Sequence, residues 1–331
     1  MMDDKEAVSP IISMILLITI VLVVTAAILQ WATPILQRSQ SEANYSSALG
    51  YFNVLDSAFE DVVNMGEGAS RSVDVSVGAG NIYISETMNE TWVVSYNFEG
   101  QPRVNISKLN DGDKEFDIST SVDVNITIYW PKGDDFGAPD YHNNIERVST
   151  VLGARENLTG AIYMNISNNV TSEKVAELWL FDITPITYEL QSAFGTYYIK
   201  SVNGGIITQA TGQKYVTNEP LFKETGSSLL LYMTQTKATN LRGGGSGSYS
   251  FTLNMKNMDI RNNMTMDVYN LTLQIYDQQG EDWNKAWYSY FELNSGFIDD
   301  GDSLLYSTGE PNKKITLKLM SCNIDVNMKS M

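Results

Sequence analysis

The sequence predicts an α+β protein in which a long N-terminal helix is attached to a mainly antiparallel, β-rich head, expected to be a β-sandwich. Three observations predict this class. Residues 11–29 are apolar with few interruptions, residues 36–65 repeat apolar side chains at helical spacing, and from residue 70 onward the apolar period changes to two. Of the 331 residues, 43% are hydrophobic, which is ample for a folded core.

Composition excludes several functional classes. The 22 Lys and Arg against 39 Asp and Glu give a net charge of −17, whereas a protein that tracks nucleic-acid phosphates needs clustered positive charge. Cys322 is the single cysteine, so it cannot form an intrachain disulfide, and we expect it to be a small buried side chain. His142 is the single histidine and is expected in a surface loop. We therefore predict no enzyme, no cofactor and no nucleic-acid partner.

Residues 8–35 are predicted to form a helix that spans a membrane or lies in a filament core. No charged side chain occurs between residues 7 and 37, and about 20 apolar helical residues cross a hydrocarbon core of about 30 Å. Trp31 lies near the far end, where an indole suits the interface. A conventional signal peptide cleaved after Ala26 is the alternative, but the apolar run continues past that residue. We expect a single-pass membrane protein with its head outside the cell.

A short polar leader precedes this helix. Residues 1–7 read MMDDKEA, and Val8, Ser9 and Pro10 follow directly. Ser9 is suited to cap a helix N-terminus, and Pro10 suits the first helical position, where its missing N–H has no partner to lose. The helix is therefore predicted to start at Ser9 and Pro10.

The order of polar leader, small residue, Val-Ser-Pro-Ile-Ile and unbroken apolar run resembles the N-terminus of archaeal type IV pilins and pilin-like surface proteins. The resemblance covers residues 1–35. It implies that a prepilin-type peptidase cuts between Ala7 and Val8, so that the apolar helix stays on the mature protein. The leader is net acidic, whereas many family members carry more Lys or Arg there. The chain is also longer than major pilins, which favours a minor pilin or a pilin-like surface protein.

Residues 36–66 are predicted to form an amphipathic helix that packs on the head. Polar side chains such as Gln37, Glu42 and Glu60 lie on the opposite face, and Gly66 and Gly68 end the pattern. Pro34 either kinks one continuous helix or separates two helices, and the spacing leaves both open. The predicted buried face consists of Tyr45, Leu49, Phe52, Leu55, Phe59 and Val62 or Val63.

Residues 67–331 are predicted to form the head, with possible sub-boundaries near 131–141 and 243–248. The glycine-rich segment 243–248 is either a flexible hairpin tip or a boundary between two β lobes. Residues 282–291 are predicted to form a short helix that covers a sheet, because Trp283, Trp287 and Phe291 recur every four residues. Strands are predicted at residues 91–98, 161–166, 178–181, 197–199, 229–233, 251–253, 268–276 and 315–319.

Two surface features accompany this head. The acidic turns 110–113 and 299–302 carry oxygen ligands of the kind that calcium uses, although acidic hairpin turns explain them equally well and neither fits an EF-hand. Sequons for N-glycosylation are absent from the apolar helix, which fits a decorated outer surface. The sequon asparagines are Asn44, Asn89, Asn105, Asn125, Asn157, Asn165, Asn169, Asn263 and Asn270.

The function that we expect is assembly into, or association with, a surface filament, with the head presented for adhesion. The expected partners are the membrane, a prepilin-type peptidase and other pilin-like subunits that contact the N-terminal helix. The main alternative is a permanently membrane-anchored surface glycoprotein that does not polymerise. A tethered extracellular hydrolase is a third hypothesis, but the sequence offers no catalytic constellation for it.

Overall fold

The fold contains a long N-terminal helix and an antiparallel β-rich head, which confirms the α+β class. A computed structural model describes residues 5–85, 89–110, 115–129, 131–132, 135–136, 140–143, 162–210, 212–226, 228–237, 241–244, 247–259, 266–277, 282–301, 303–306 and 314–331. The helices of this described part are α1 (Lys5–Met65) and α2 (Trp283–Asn294).

Strands make up most of the described part of the head, as the period of two predicts, and each predicted strand coincides with an observed one. The strands of the described part are β1 (Ser70–Val77), β2 (Asn81–Ile84), β3 (Glu90–Phe98), β4 (Val104–Asn110), β5 (Glu115–Thr120), β6 (Val124–Tyr129), β7 (Pro131–Lys132), β8 (Asp135–Phe136), β9 (Asp140–Asn143), β10 (Ile162–Asn168), β11 (Lys174–Ile183), β12 (Ile186–Ser192), β13 (Gly195–Val202), β14 (Gly205–Ala210), β15 (Gln213–Asn218), β16 (Phe222–Thr225), β17 (Ser228–Lys237), β18 (Leu241–Gly244), β19 (Gly247–Asp259), β20 (Met266–Asp277), β21 (Phe297–Asp299), β22 (Leu304–Tyr306) and β23 (Ile315–Ser330).

Helix α1 is continuous over 61 residues, so the hypothesis of two helices separated at Pro34 is wrong. The prediction that the helix starts at Ser9 and Pro10 is also wrong for the uncut chain, because α1 begins at Lys5. Lys, Glu and Ala are strong helix formers, so residues 5–7 extend the helix into the leader. Pro10 lies one turn inside this extension and removes a single backbone hydrogen bond there.

Two glycines end α1 where the sequence predicts. Gly66 has φ +85° and Gly68 has φ +83°, a conformation that glycine adopts without a Cβ clash. The Gly66 N–H donates to the Val62 carbonyl at 3.1 Å, and the Gly68 N–H donates to the Met255 carbonyl of β19 at 3.0 Å. The chain therefore turns directly from α1 into the β head.

The larger sheet has the strand order β1-β19-β23-β20-β3-β11-β10-β6-β9 among the described residues, and β16, β17, β21 and β22 pair at its side. Its pairs are antiparallel except for β17 and β23, which run parallel. His142 lies in β9 and pairs with Ile126, so the expectation of a loop position is wrong. The sequence offered no alternation strong enough to predict this short strand.

A second sheet has the order β15-β14-β13-β12-β2-β18. Gly243 and Gly244 belong to β18 in this sheet, whereas Gly247 begins β19 in the larger sheet. Segment 243–248 therefore joins strands of two different sheets, and residues 245–246 lie outside the described residues. The proposed sub-boundaries stay predictions.

Both faces of the second sheet are covered, which differs from a plain two-sheet sandwich. Ile199 and Ile206 pack in one core with α1, β1, β19 and β23. Val202 and Ile207, on the other face, pack in a second core with α2 and the centre of the larger sheet. A strand buried on both faces lacks the apolar-polar alternation of a sandwich strand, and this is the burial seen in β14.

Candidate functional site

The N-terminal half of α1 exposes apolar side chains in every direction. From residue 12 to residue 36 every described side chain is exposed, except that of Ala32, which is half-buried. Leu22 is 64% exposed and Trp31 is 80% exposed. By length and composition alone, this helix is long and apolar enough to cross a membrane, and none of its apolar window is buried. An apolar surface of this extent marks a site of contact with lipid or protein.

The hydroxyl groups within this apolar segment are satisfied by the helix itself. Thr19 donates to the Ile15 carbonyl at 2.8 Å, and Thr33 donates to the Leu29 carbonyl at 2.7 Å. A polar group in hydrocarbon is costly unless it makes a hydrogen bond, so these i→i−4 bonds suit an apolar environment. The segment therefore offers an apolar surface without unsatisfied hydroxyls at these two positions.

The C-terminal half of α1 packs on the head through the face that the spacing predicts. Phe52, Leu55 and Val62 are 0% exposed, and Phe59 is 3% exposed. Gln37, Glu42 and Glu60 on the other face are exposed, as predicted. Tyr45 and Leu49 are half-buried against the same core. The first half of α1 thus exposes apolar side chains on all sides, whereas the second half buries one apolar face against the head.

Asp56 is a titratable group at the contact between α1 and the second sheet. The Asn218 side-chain amide donates to its Oδ2 at 3.0 Å, whereas its Oδ1 is buried and makes no hydrogen bond to the described residues. Burial, with a smaller contribution from the negative charge of Glu60, raises the pKa of Asp56 to about 7. The contact between helix and head is therefore sensitive to pH near neutrality.

Glu90 and Asp277 are buried neighbours beneath α2. They are directly opposite in the pairing of β3 with β20 and are 0% and 8% exposed, respectively. The indole N–H groups of Trp92 and Trp287 donate to Glu90 Oε2 at 3.3 and 3.0 Å. Burial raises the pKa of Glu90, and the positive charge of Lys200 opposes this shift.

Lys200 of β13 reaches the same region from the second sheet. It is 1% exposed, and its Nζ lies 4.1 Å from the ring centroid of Trp283. Lys214 lies over the same ring at 4.6 Å. Such contacts stabilise a cation on the face of an indole. Our sequence reasoning missed Glu90, Lys200 and Asp277; the available signal was a lysine at an inward position of β13, two residues from Val202.

Glu177 forms a second buried carboxylate network, which the sequence reasoning also missed. Its Oε2 accepts a hydrogen bond from Tyr96 at 2.6 Å, and its Oε1 accepts from Tyr163 at 2.5 Å and from Lys174 at 2.7 Å. Burial is the main cause that raises the pKa of Tyr96 well above its ordinary range. Because both carboxylate oxygens are hydrogen-bonded, this network is suited to hold β3, β10 and β11 together.

The sequon asparagines differ in exposure. Asn105 and Asn169 are exposed, whereas Asn44, Asn89, Asn125, Asn165 and Asn270 are half-buried. The Oδ1 atoms of Asn89, Asn125 and Asn165 are buried and make no hydrogen bond to the described residues. Asn157 and Asn263 lie outside the described residues. A glycan needs room around the amide nitrogen, so Asn105 and Asn169 are the best acceptors on exposure alone.

The predicted processing residues and acidic turns are placed only in part. Ala7 and Val8 lie inside α1, and the structure describes their backbone but not their side chains. In the turn at 299–302, the Gly301 N–H donates to Asp299 Oδ1 at 2.8 Å, which is the bonding of an acidic turn. Among the described residues, no group of three or more His, Cys, Asp or Glu could hold a metal ion. Residues 111–113 and 302 lie outside that part of the chain.

Cys322 is buried with a free thiol in the core beneath α1, as predicted. Burial raises its pKa to about 12, so the reactive thiolate is suppressed. The cysteine therefore acts as a small apolar side chain.

Comparison with protein-family models, with curated proteins and with solved structures finds no match to this chain. The fold defines an α+β protein with a helix that is membrane-competent by length and composition. Its function is inferred from the apolar half of α1 and from the head.

Proposed function

We propose that the chain is a type IV pilin-like cell-surface protein of the minor-pilin kind, with a head displayed outside the cell for adhesion. The observation that supports this proposal is the change of surroundings along α1. Residues 12–36 expose apolar side chains on all sides, whereas the helix beyond Tyr45 is fixed to the head. An anchored filament subunit needs these two properties on one helix.

Assembly is proposed to be a transfer of the apolar half of α1 between two apolar environments. In the membrane, lipid chains surround Ile15, Leu22 and their neighbours. In a filament, the same side chains pack against equivalent helices, so extraction does not expose them to water. The head stays folded in both states because its core lies beyond the apolar segment.

Removal of the leader is proposed to precede assembly. Asp3, Asp4, Lys5 and Glu6 would place four charges in the helix bundle, where unpaired charges are costly. A prepilin-type peptidase that cuts between Ala7 and Val8 removes all four. It also leaves Pro10 in the first turn of the mature helix, where proline is well tolerated.

The test is the mature N-terminus, measured by mass spectrometry on protein made in an archaeal host. We expect a start at Val8. A start at Ala27 would mean a secreted protein and would overturn the filament proposal. An intact Met1 or Met2 would leave a simple anchor, for which the resemblance of the leader is a coincidence.

A permanently anchored, non-polymerising surface glycoprotein is the second candidate. The size of the head favours it, because residues 67–331 are most of the chain and so large a head is hard to arrange around a narrow helical core. Mechanical shearing of cells separates the two candidates. A filament subunit is released in fibres that sediment, whereas an anchored protein stays with the membrane and is extracted by detergent as a monomer.

A further inference from the structure

The bond between Ala7 and Val8, at which the cut is proposed, lies inside a helix in the uncut chain. Helix α1 begins at Lys5, so this bond belongs to its first turn. A protease acts on a backbone that has opened from its folded conformation, and the rate follows the population of the opened form when opening and closing are fast. Cleavage at this bond, which is part of the proposed function and on which the inference rests, therefore requires the first turn to unwind.

Pro10 lies shortly after this bond and weakens the helix around it. In a regular α-helix the N–H of residue 10 donates to the carbonyl of Glu6, but proline has no N–H to donate. Proline also disfavours the helical conformation of the residue before it, here Ser9. The lost bond and the disfavoured residue lie on either side of Ala7 and Val8, so a single proline destabilises the backbone that contains the scissile bond.

Few other interactions hold this first turn. In a regular helix the carbonyls of residues 5–8 accept hydrogen bonds from residues 9–12, and Pro10 removes one of these four. The first N–H groups of any helix lack an acceptor within it. The head is too far along the helix to stabilise the turn, since α1 joins the core of the head from Tyr45 onward. The first turn therefore depends on a set of backbone hydrogen bonds that is already incomplete.

Two opposing preferences determine how firmly the turn is helical. Lys5, Glu6 and Ala7 are strong helix formers, which explains why α1 extends into the leader. A proline inside a helix costs more free energy than such residues gain. The next proline in the chain is Pro34, so no second proline interrupts the apolar stretch that follows Pro10. The helix is thus easier to unwind at the leader than in the segment proposed to remain on the mature protein.

We propose that Pro10 is the residue that makes the bond between Ala7 and Val8 accessible to the peptidase, because it lets the first turn of α1 unwind into an extended form. The peptidase adds water across this bond: the hydroxyl group joins the carbonyl carbon of Ala7, the C–N bond breaks, and the nitrogen of Val8 takes up the remaining proton. Pro10 then lies in the first turn of the mature helix, where it has no hydrogen bond to lose. The same residue thus destabilises the helix before the cut and is well tolerated after it.

Cleavage of the full-length precursor in detergent by an archaeal prepilin-type peptidase tests the proposal. Alanine restores the missing N–H, so Pro10→Ala should be cut about 10- to 100-fold more slowly than the natural chain. Glycine also disfavours a helix but has no ring, so Pro10→Gly should be cut about 5-fold faster than Pro10→Ala. Equal rates for Pro10→Ala and the natural chain would overturn the proposal. Equally slow cleavage of both variants would mean that the peptidase recognises the proline ring itself, and would overturn it too.

Pro34→Ala is the matched control, because it restores the same kind of hydrogen bond in the same helix but far from the cut. Its rate of cleavage should equal that of the natural chain, and mass spectrometry should place the new N-terminus at Val8 in both. A loss of rate in Pro34→Ala as large as that in Pro10→Ala would show that the stiffness of the whole helix governs cleavage. That result would contradict a local role for Pro10.

Hydrogen exchange measures the opening of the turn without a peptidase. In a regular helix the N–H groups of Ser9 and Ile11 donate to the carbonyls of Lys5 and Ala7, so their exchange reports unwinding around the cut. In the full chain in detergent, Pro10→Ala should slow exchange at both amides by about 10-fold or more, and unchanged exchange would overturn the proposal. A natural chain that the peptidase leaves uncut would contradict the proposed function instead, and the exchange result would still decide whether Pro10 opens the turn.

Discussion

In helix α1, residues 12–36 expose apolar side chains on every side, whereas the later part of the helix exposes polar side chains and buries one apolar face. Val21 and Val54 illustrate the difference, because they are 54% and 55% exposed on the same helix. Val21 lies within an apolar stretch, and Val54 lies between Asn53 and buried Leu55. Val21 is thus part of an extended apolar surface, whereas Val54 is an isolated apolar residue on a polar face, although the two are equally exposed.

Helix formation and the environment of the helix are therefore separate properties of α1. The backbone of α1 is continuous, although only the part of the helix from Tyr45 onward packs on the head. Side-chain hydrogen bonds to i−4 carbonyls satisfy the hydroxyls of Thr19 and Thr33 in the first half, and contacts with the second sheet and β1 position the second half. Changes in one half should therefore leave the property of the other half intact.

The largest effect on stability should come from a substitution on the buried face of α1. Phe52 is 0% exposed, so Phe52→Ala should lower the free energy of unfolding of the head by about 3–5 kcal/mol, through lost burial and a cavity. Urea unfolding of the full chain in detergent, followed by the near-UV signal of the tryptophans, measures it. Leu22→Ala is the control, and we expect a change below about 0.5 kcal/mol. Equal losses in both variants would mean that the apolar half also packs on the head.

The next effect concerns membrane insertion. Val21→Asp places a carboxylate in the apolar half and should cost about 3 kcal/mol of insertion free energy. Val54→Asp is the matched control, since Val54 has nearly the same exposure but lies outside the apolar segment. The measurement is the fraction of protein that stays in membranes after alkaline extraction. Retention of Val21→Asp at the level of Val54→Asp would contradict a membrane role for this segment.

A smaller effect should appear at the contact between α1 and the second sheet. The pKa of Asp56 is about 7 in the folded protein and about 4 in the unfolded chain. Below pH 4 both states are protonated and Asp56 contributes nothing. Between pH 4 and pH 7 the unfolded chain releases its proton first, so the stability of the fold decreases as pH rises and stays reduced above pH 7.

Asp56→Asn should remove this dependence. At pH 8 we expect the variant to be more stable than the natural protein by about 2–4 kcal/mol, and at pH 4 we expect no difference. Urea unfolding at the two pH values measures both. A variant that is less stable at pH 8 would show that the hydrogen bond from Asn218 outweighs the cost of burying the charge.

The smallest effect on stability should come from the sequons. Asn169 is exposed, so Asn169→Gln should change the free energy of unfolding by less than about 0.5 kcal/mol and should remove one glycan from protein made in an archaeal host. Asn165→Gln should leave the glycan content unchanged, because the Asn165 Oδ1 is buried within the sheet. Intact mass reports both changes. Loss of a glycan in Asn165→Gln alone would reverse this order of accessibility.

Elements with a clear period were predictable. Phe52, Leu55 and Phe59 recur at helical spacing and are buried, and the aromatic stripe from Trp283 to Phe291 forms the buried side of α2. The start of α1 was not predictable from Ser9 and Pro10, since good helix formers in the leader continue the helix beyond a favourable cap. The favourable cap at Ser9 competes there with the helix-forming residues that precede it. The cap motif alone takes no account of those preceding residues.

Pairings between distant segments were beyond the reach of local patterns. The parallel pairing of β17 with β23 joins residues 228–237 to 316–325, and no short-range signal marks it. Glu90 and Lys200 lie just outside the strands predicted at 91–98 and 197–199, and the charge of a side chain says nothing about which sheet will cover it. The two buried carboxylate networks were missed for this reason.

The sequence by itself determined the apolar segment, the amphipathic face, the positions of many strands and the aromatic stripe of α2, because each depends on neighbours a few residues away. Only the tertiary structure decided that α1 is one helix through Pro34, that the second sheet is buried on both faces, and that Lys200 is buried over the ring of Trp283. The physical reason is that burial and charge pairing depend on which distant segments come together, and that is fixed by packing of the whole chain.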